Sequence, residues 1–183
     1  MYKSNTNYKI LHKMKTKWNI DQMHSEIGFK AKYIIISAVT GHFEDFKATI
    51  VSETQNFNHS QISFTAQTNS ITTKNSKRDS HLKADNFFNV EAYPELVFTS
   101  KSFDGNVLIG DLTIRDITKE ISLEADFRGV ATDSYGQTKA SFKVKGAISR
   151  KEFNLTWNAL IEAGNIAVSD TIKLIIDLQF IKE

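Results

Sequence analysis

The chain has 183 residues, a formal charge of +2, thirteen Phe and five Tyr against one Pro, and no Cys. That length fits one domain able to bury a core or enclose a cavity without cross-links. Disulfides, thiol catalysis and cysteine zinc sites are excluded, and a charge near neutral, with no Lys/Arg run interleaved with aromatics, argues against a nucleic-acid groove.

Residues 1–16 read as a polar tail carrying Lys3, Lys9, Lys13 and Lys15. The tail lacks the apolar run that a signal-peptide core needs. The longest apolar run, Tyr33-Ile34-Ile35-Ile36, falls far short of a membrane span. These features predict a soluble, cytoplasmic protein with no integral membrane segment, ordered as one domain over 17–183. In the first strand pattern, Ile27, Phe29, Ala31 and Tyr33 alternate with Gly28, Lys30 and Lys32, the period of a half-buried strand. The same period returns in Phe46, Ala48, Ile50 and in Ile62, Phe64, Ala66.

A polar connector follows, Ser70 to Phe88, with Arg78, Asp79 and His81 ahead of the Phe87-Phe88 pair. A short helical insertion is expected around 81–93, and Tyr93-Pro94 opens the next strand. Asp104-Gly105-Asn106 marks a tight hairpin and Asp133-Ser134-Tyr135-Gly136 another turn. Between and after them Ile121, Leu123, Ala125, Phe127 and Ala140, Phe142, Val144 keep the strand period. The last run, Ile172, Leu174, Ile176, Leu178 and Phe180, is the clearest. About eight strands joined by hairpins predict an all-β, antiparallel, closed eight-stranded barrel, because closure removes exposed edges. A barrel of that size either holds one small ligand or is filled by side chains.

Candidate residues carry two readings each. His24 and Ser25 are neighbours on a strand, so they point to opposite faces and form no nucleophile–base pair; local capping is the reading for both. Arg78 and His81 fit a rim that meets a phosphate or amide head, since Arg offers a rigid fork of donors. An Arg78–Asp79 pair pinning the loop is the simpler reading, since a local ion pair needs no ligand, and both can hold. Arg150 is either an inward charge near a mouth or a rim residue paired with an acid. Phe29, Phe64, Phe98, Phe127, Phe142 and Trp157 line a tunnel or fill a core. Small residues on the same faces, Ala31 among them, favour space inside. The five histidines lack metal-ligand spacing.

Several fragments occur in a familiar order. They are Trp18-x-Ile20-Asp21-x-x-His24-Ser25-x-Ile27-x-Phe29 and Ser70-Ile71-x-Thr73 with Arg78-Asp79-x-His81-Leu82. Phe87-Phe88, Tyr93-Pro94-x-Leu96-x-Phe98, Ile148-x-Arg150-x-x-Phe153-x-Leu155-x-Trp157 and Val168-x-Asp170-x-Ile172 follow. Together they resemble the YceI-like family, small barrels that bind polyisoprenoids and other lipids. The likeness covers roughly residues 17–182. It implies a lipocalin-like barrel with a long apolar cavity, a polyisoprenoid or other long-chain lipid as partner, and neither catalysis, cofactor nor metal. Tyr33 stands where many members carry a histidine, and many relatives are exported. The ligand-contacting set on this reading is Phe29, Ala31, Tyr33, Phe64, Arg78, His81 and Phe98, with Phe127, Phe142, Arg150, Trp157, Leu174 and Ile176. The alternatives are a small hydrolase or isomerase acting at the barrel mouth, for which no spacing supplies a base beside a nucleophile, and a packed barrel serving as an interaction module. The oligomeric state stays open between monomer and homodimer.

Overall fold

A computed structural model describes residues 15–34, 37–158 and 167–183. The tail expected over 1–16 therefore falls, up to residue 14, outside the described residues. The strands are β1 (Thr16–Ile20), β2 (Glu26–Tyr33), β3 (Ser37–Phe43), β4 (Phe46–Ser52), β5 (Gln61–Gln67) and β6 (Ile71–Thr72). Helix α1 (Ser76–Lys83) comes next, then β7 (Glu95–Phe103), β8 (Val107–Ile114), β9 (Ile117–Thr132), β10 (Thr138–Ser149) and β11 (Val168–Lys182). All pairings are antiparallel, and β1 bonds both β4 and β11, which closes the sheet.

The described strands make eight staves, because the first three staves are each broken in the middle. β1 and β2 both lie along β11. β3 pairs β2 where β4 pairs β1, and β6 pairs β3 where β5 pairs β4. The breaks lie side by side as a belt. In the first, the Asp21 N–H donates to Gln179 O at 2.7 Å and Ser25 Oγ accepts from Gln179 N at 2.9 Å. The Gln22 amide reaches across to the carbonyl of Phe46. Asp21 accepts from His24 Nδ1 at 2.9 Å and from Lys139 Nζ at 3.1 Å; His24 ends a short 3-10 turn and Ser25 caps it rather than the two sharing a strand, and both hold the chain in place by local bonds. In the other two breaks, Glu44 N donates to Ser70 O at 3.2 Å and Gln67 N to Asp45 O at 2.9 Å. Backbone groups freed by each break thus find partners in the next, as buried amides require.

Hairpin turns fall where the sequence places them. Asp104 Oδ1 accepts from Asn106 N and Val107 N at 2.9 and 2.7 Å, with Gly105 at φ +100°. Asp133 Oδ1 does the same for Tyr135 N and Gln137 N. The helix begins earlier than the expected 81–93, at Ser76, because Asn75 Oδ1 accepts from Arg78 N at 3.0 Å and caps it. Residues 84–92 are turns, not helix.

The end of the barrel around β1 is filled. The loop between β4 and β5 sends Phe57, 1% exposed, into the centre. Its ring lies 5.1 Å from those of Trp18 and Phe127 and 5.0 Å from that of Phe142. Phe142 also meets Phe180 edge-on at 6.0 Å. Such tilted pairs add to plain burial. Phe57 sits at φ +61°, and its carbonyl accepts from Ser60 Oγ at 2.6 Å.

Candidate ligand cavity and its mouth

The staves enclose a cavity of about 660 Å³ that reaches from β2 and β3 above the belt past it to Ala48 of β4 and to Ile62 and Phe64 of β5, within the range of small-molecule sites. Its deepest wall is β11, whose alternate residues Ile172, Leu174, Ile176, Leu178 and Phe180 all line it. From Ile172 to Phe180 is eight steps of strand, about 26 Å along tilted β11. Phe180 and Val144 floor the cavity just above the aromatic plug. Phe29, Ala31, Phe64 and Phe98 stand on other walls, and Gly41 and Gly110 leave room for the Phe29 and Phe98 rings, each of which would lie 2.4 Å from a Cβ there.

The structure thus brings Phe29, Ala31, Tyr33, Phe64, Phe98, Leu174 and Ile176 to one cavity, with Arg78, His81, Arg150 and Trp157 at its upper end. Phe127 and Phe142 are not in the lining. Both face the barrel interior, but the plug takes them, because Phe57 arrives from a distant loop to stack between them. Other lining residues were not anticipated as site residues: Leu82, Phe87 and Phe88 from the connector, and Lys32 and Lys77 at the rim. For Phe87 and Phe88 the signal was available, two adjacent aromatics in a polar stretch. Phe88 packs edge-on against Phe43 at 6.2 Å.

The rim is cationic. Lys32, Lys77, Arg78 and Arg150 line the cavity together with His81, and among the described residues no Asp or Glu does. Arg78 makes no ion pair with Asp79; its Nε donates to Thr73 Oγ1 at 2.7 Å and its Nη2 to Thr73 O at 3.0 Å. Asp79 accepts instead from Thr73 N at 2.8 Å, Thr73 Oγ1 at 2.5 Å and Thr72 Oγ1 at 3.1 Å. Burial opposes the Asp79 charge, but these bonds and the Arg78 guanidinium outweigh it and hold the pKa below the ordinary value near 3.8. The loop-pinning reading holds through Thr73 rather than through an Arg–Asp pair. Arg78 Nη1 is left without a protein partner among the described residues.

Arg150 is 1% exposed. Its Nη1 donates to the carbonyls of Leu155 and Trp157 at 2.6 and 2.7 Å, its Nε to Ser169 O at 3.1 Å and its Nη2 to Val168 O at 3.3 Å. Asp170 Oδ1 lies 3.4 Å from Nη2. Burial lowers the Arg150 pKa and Asp170 opposes that. Both readings of Arg150 meet here: it is an inward charge at the mouth and it neighbours an acid. Its carbonyl partners make it the clasp that ties the chain after β10 to the start of β11. Trp157, placed by that clasp, receives His81 edge-on with ring centres 4.2 Å apart. Arg115 makes a second clasp, from the β8–β9 turn to Phe87 O at 3.2 Å and Asn154 O at 3.3 Å.

Among the described residues no group of acids and histidines could hold a metal ion, and no helix is long and apolar enough to cross a membrane.

Comparison with known proteins agrees with this architecture. The family model for the YceI-like domain matches residues 18–180. A UPF0312 protein of Staphylococcus epidermidis is 32% identical over 166 residues, covering 90% of this chain and 97% of its own. A Staphylococcus aureus UPF0312 protein is 30% identical over the same shares. The crystal structure of a Campylobacter jejuni YceI protein superposes with a TM-score of 0.69 at 32% identity, over 83% of this chain and 90% of that one. A polyisoprenoid binding domain from Saccharophagus degradans shares the fold at a TM-score of 0.67 and 12% identity, over 91% and 98%.

Proposed function

This chain belongs to the YceI-like domain family, and from that premise we propose that it binds a long-chain amphiphilic lipid of the polyisoprenoid type, as carrier or sequestering protein rather than enzyme. The observation that carries the reading is the cavity itself: about 660 Å³, walled by aliphatic and aromatic side chains, with its cations gathered at one end.

The energetics decide which part of the site discriminates. Burying CH₂ groups from water gains about 0.8 kcal/mol each, so a tail of some tens of carbons would exceed the non-covalent ceiling of roughly 20 kcal/mol. Such a ligand comes from a bilayer, where its tail is already out of water, and its transfer into the barrel is close to neutral. Cavity length and the rim then set preference. The rim offers Arg78 Nη1, Lys32 and Lys77 with no carboxylate among the described lining residues, which favours a phosphate or carboxylate head over a cationic one. For catalysis at the mouth, the closest hydroxyl–carboxylate pair is Thr73 and Asp79, but Thr73 is buried and its Oγ1 already accepts from Arg78 Nε. That arrangement serves the loop.

Native mass spectrometry of the purified full chain, followed by organic extraction, tests the proposal. The expected result is a lipid adduct of about one molecule per protomer. A chain that carries no lipid and takes up neither a prenyl phosphate nor a prenyl alcohol would sink it.

A further inference from the structure

On the outer wall beside the mouth, β11 sets Lys173 directly opposite Lys30 of β2. Like charges in that position cost stability, so folding gives no reason for the pair. Lys30 is followed across the sheet by Thr40 of β3, and Lys74 lies just past β6 on the far edge of β3. Lys32 lies one residue before the end of β2 and Lys77 in the first turn of α1, both at the cavity rim. All these lysines are exposed. None forms an ion pair among the described residues, and neither do Lys47 and Lys182 on the plugged half; what sets these five apart is that they lie together beside the mouth. The nearest acid on β11, Asp170, is already engaged by Lys151 and Arg150. The strip is assembled from strands more than a hundred residues apart, so no run of the sequence displays it.

We propose that this strip docks the open end of the barrel on a bilayer that carries anionic lipid. Charge is the first argument: flexible lysine stems on an exposed sheet face let each ammonium group reach a headgroup while the stem lies along the surface. Continuity is the second. The strip runs into the mouth at Lys32 and Lys77, and the exposed lining residues of the cavity, Tyr33 and Asn75 included, all lie at this end. Tyr33, 40% exposed, presents an amphipathic ring of the kind that settles at headgroup level. The plug closes the opposite end, so a ligand exchanged at the mouth leaves the bilayer without crossing water. That last step rests on the lipid-binding reading; the electrostatic docking does not.

The test uses the full chain and vesicles of phosphatidylcholine, with or without about one-third phosphatidylglycerol, at low and high salt. Sedimentation is expected only with the anionic vesicles and is expected to weaken with salt. The Lys30→Gln, Lys74→Gln, Lys173→Gln triple variant should lose roughly 100-fold in affinity, at about five-fold per charge. Its melting temperature should hold or rise, because the like-charge pair is gone. Lys47→Gln with Lys182→Gln, on the plugged half, should change affinity little. Equal binding to neutral vesicles, an unimpaired triple variant, or an equal loss in the control would overturn the proposal. So would capture of polyglutamate through the same lysines without any vesicle binding, which would assign the strip to an acidic protein. Organic extraction of each variant separates the two readings: a triple variant that keeps its lipid but not its vesicles supports docking, and vesicle binding by a chain that never holds lipid leaves docking standing while the cavity reading fails.

Discussion

At the lower end of the barrel Trp18, Phe57, Phe127, Phe142 and Phe180 meet ring against ring at 5.0–6.0 Å. Around the cavity Phe29, Phe64 and Phe98 stand on the walls and face open space. Both regions are built from inward-facing residues of the same strands, at the same period. What differs is a visitor to the barrel axis. Phe57 reaches the centre of the lower half, while Phe87 and Phe88 come down from the connector and stay at the side, against His81 and Phe43. One loop aromatic therefore decides whether a given stretch of barrel is core or cavity.

A buried carboxylate breaks this comparison most sharply. Phe142→Asp puts an unpaired acid into the plug, removes three ring contacts, and should cost more than about 4 kcal/mol, a large share of the roughly 5–15 kcal/mol that keeps a domain folded. Leu174→Asp places the same group on the cavity wall, where water can follow it into open space. That variant should fold, at a cost of about 1–2 kcal/mol, and lose its lipid on extraction. Urea unfolding of both variants settles the contrast. If Phe142→Asp folds and Leu174→Asp does not, filled and hollow have been assigned to the wrong halves.

Phe57→Ala sharpens the same point from the loop. Truncating a fully buried Phe costs about 3–5 kcal/mol, and the variant joins the vacated volume to the cavity floor at Phe180. The melting temperature should fall markedly, and longer prenyl chains should be retained better than by the unaltered chain. An unchanged chain-length preference would mean that the floor does not depend on the plug.

Much of the wall was legible in the sequence and the plug was not. The β11 alternation of Ile172 through Phe180 predicts the deepest wall residue by residue, because period two on a half-buried strand is a local signal. Phe57 lies among Glu53, Thr54, Gln55, Asn56, Asn58 and His59, and nothing local says that its partners are some seventy and eighty-five residues downstream. Helix α1 lacks an apolar face and buries no residue, so periodicity missed it, and only the Asn75 cap marks its start. The hollow interior came from the family resemblance, since Phe29 and Phe142 read alike. The cationic rim was legible at Arg78, His81 and Arg150; Lys32 and Lys77 join it only once β2 and α1 are brought to one mouth.

Arg78→Ala tests the rim. The head-group role predicts a loss of about 1.5–3 kcal/mol, ten- to hundred-fold, for a prenyl phosphate and little change for the matching alcohol. The two bonds to Thr73 also give Arg78 a structural share. Equal loss for both ligands together with a lower melting temperature would assign that share the whole effect.

The smallest effect is expected at Asp79, which holds the start of α1 to Thr72 and Thr73. Its folded-state pKa lies below the ordinary value near 3.8. A depressed carboxylate contributes stability that is fully present above the unfolded-state pKa and is lost as pH falls through the folded one. The contribution is therefore constant at neutral pH and erodes only in acid, below the ordinary aspartate range. Asp79→Asn keeps the shape but gives up the charge that accepts those bonds, and should cost about 1–2 kcal/mol at neutral pH. Because the wild type loses the same contribution on protonation, the stabilities of the two proteins should converge as pH drops. Parallel unfolding curves recorded from neutral to acid pH decide the matter. A gap between variant and wild type that stays constant across the whole range would show that the Asp79 charge does not hold the mouth together, and that the threonines act through their backbone alone.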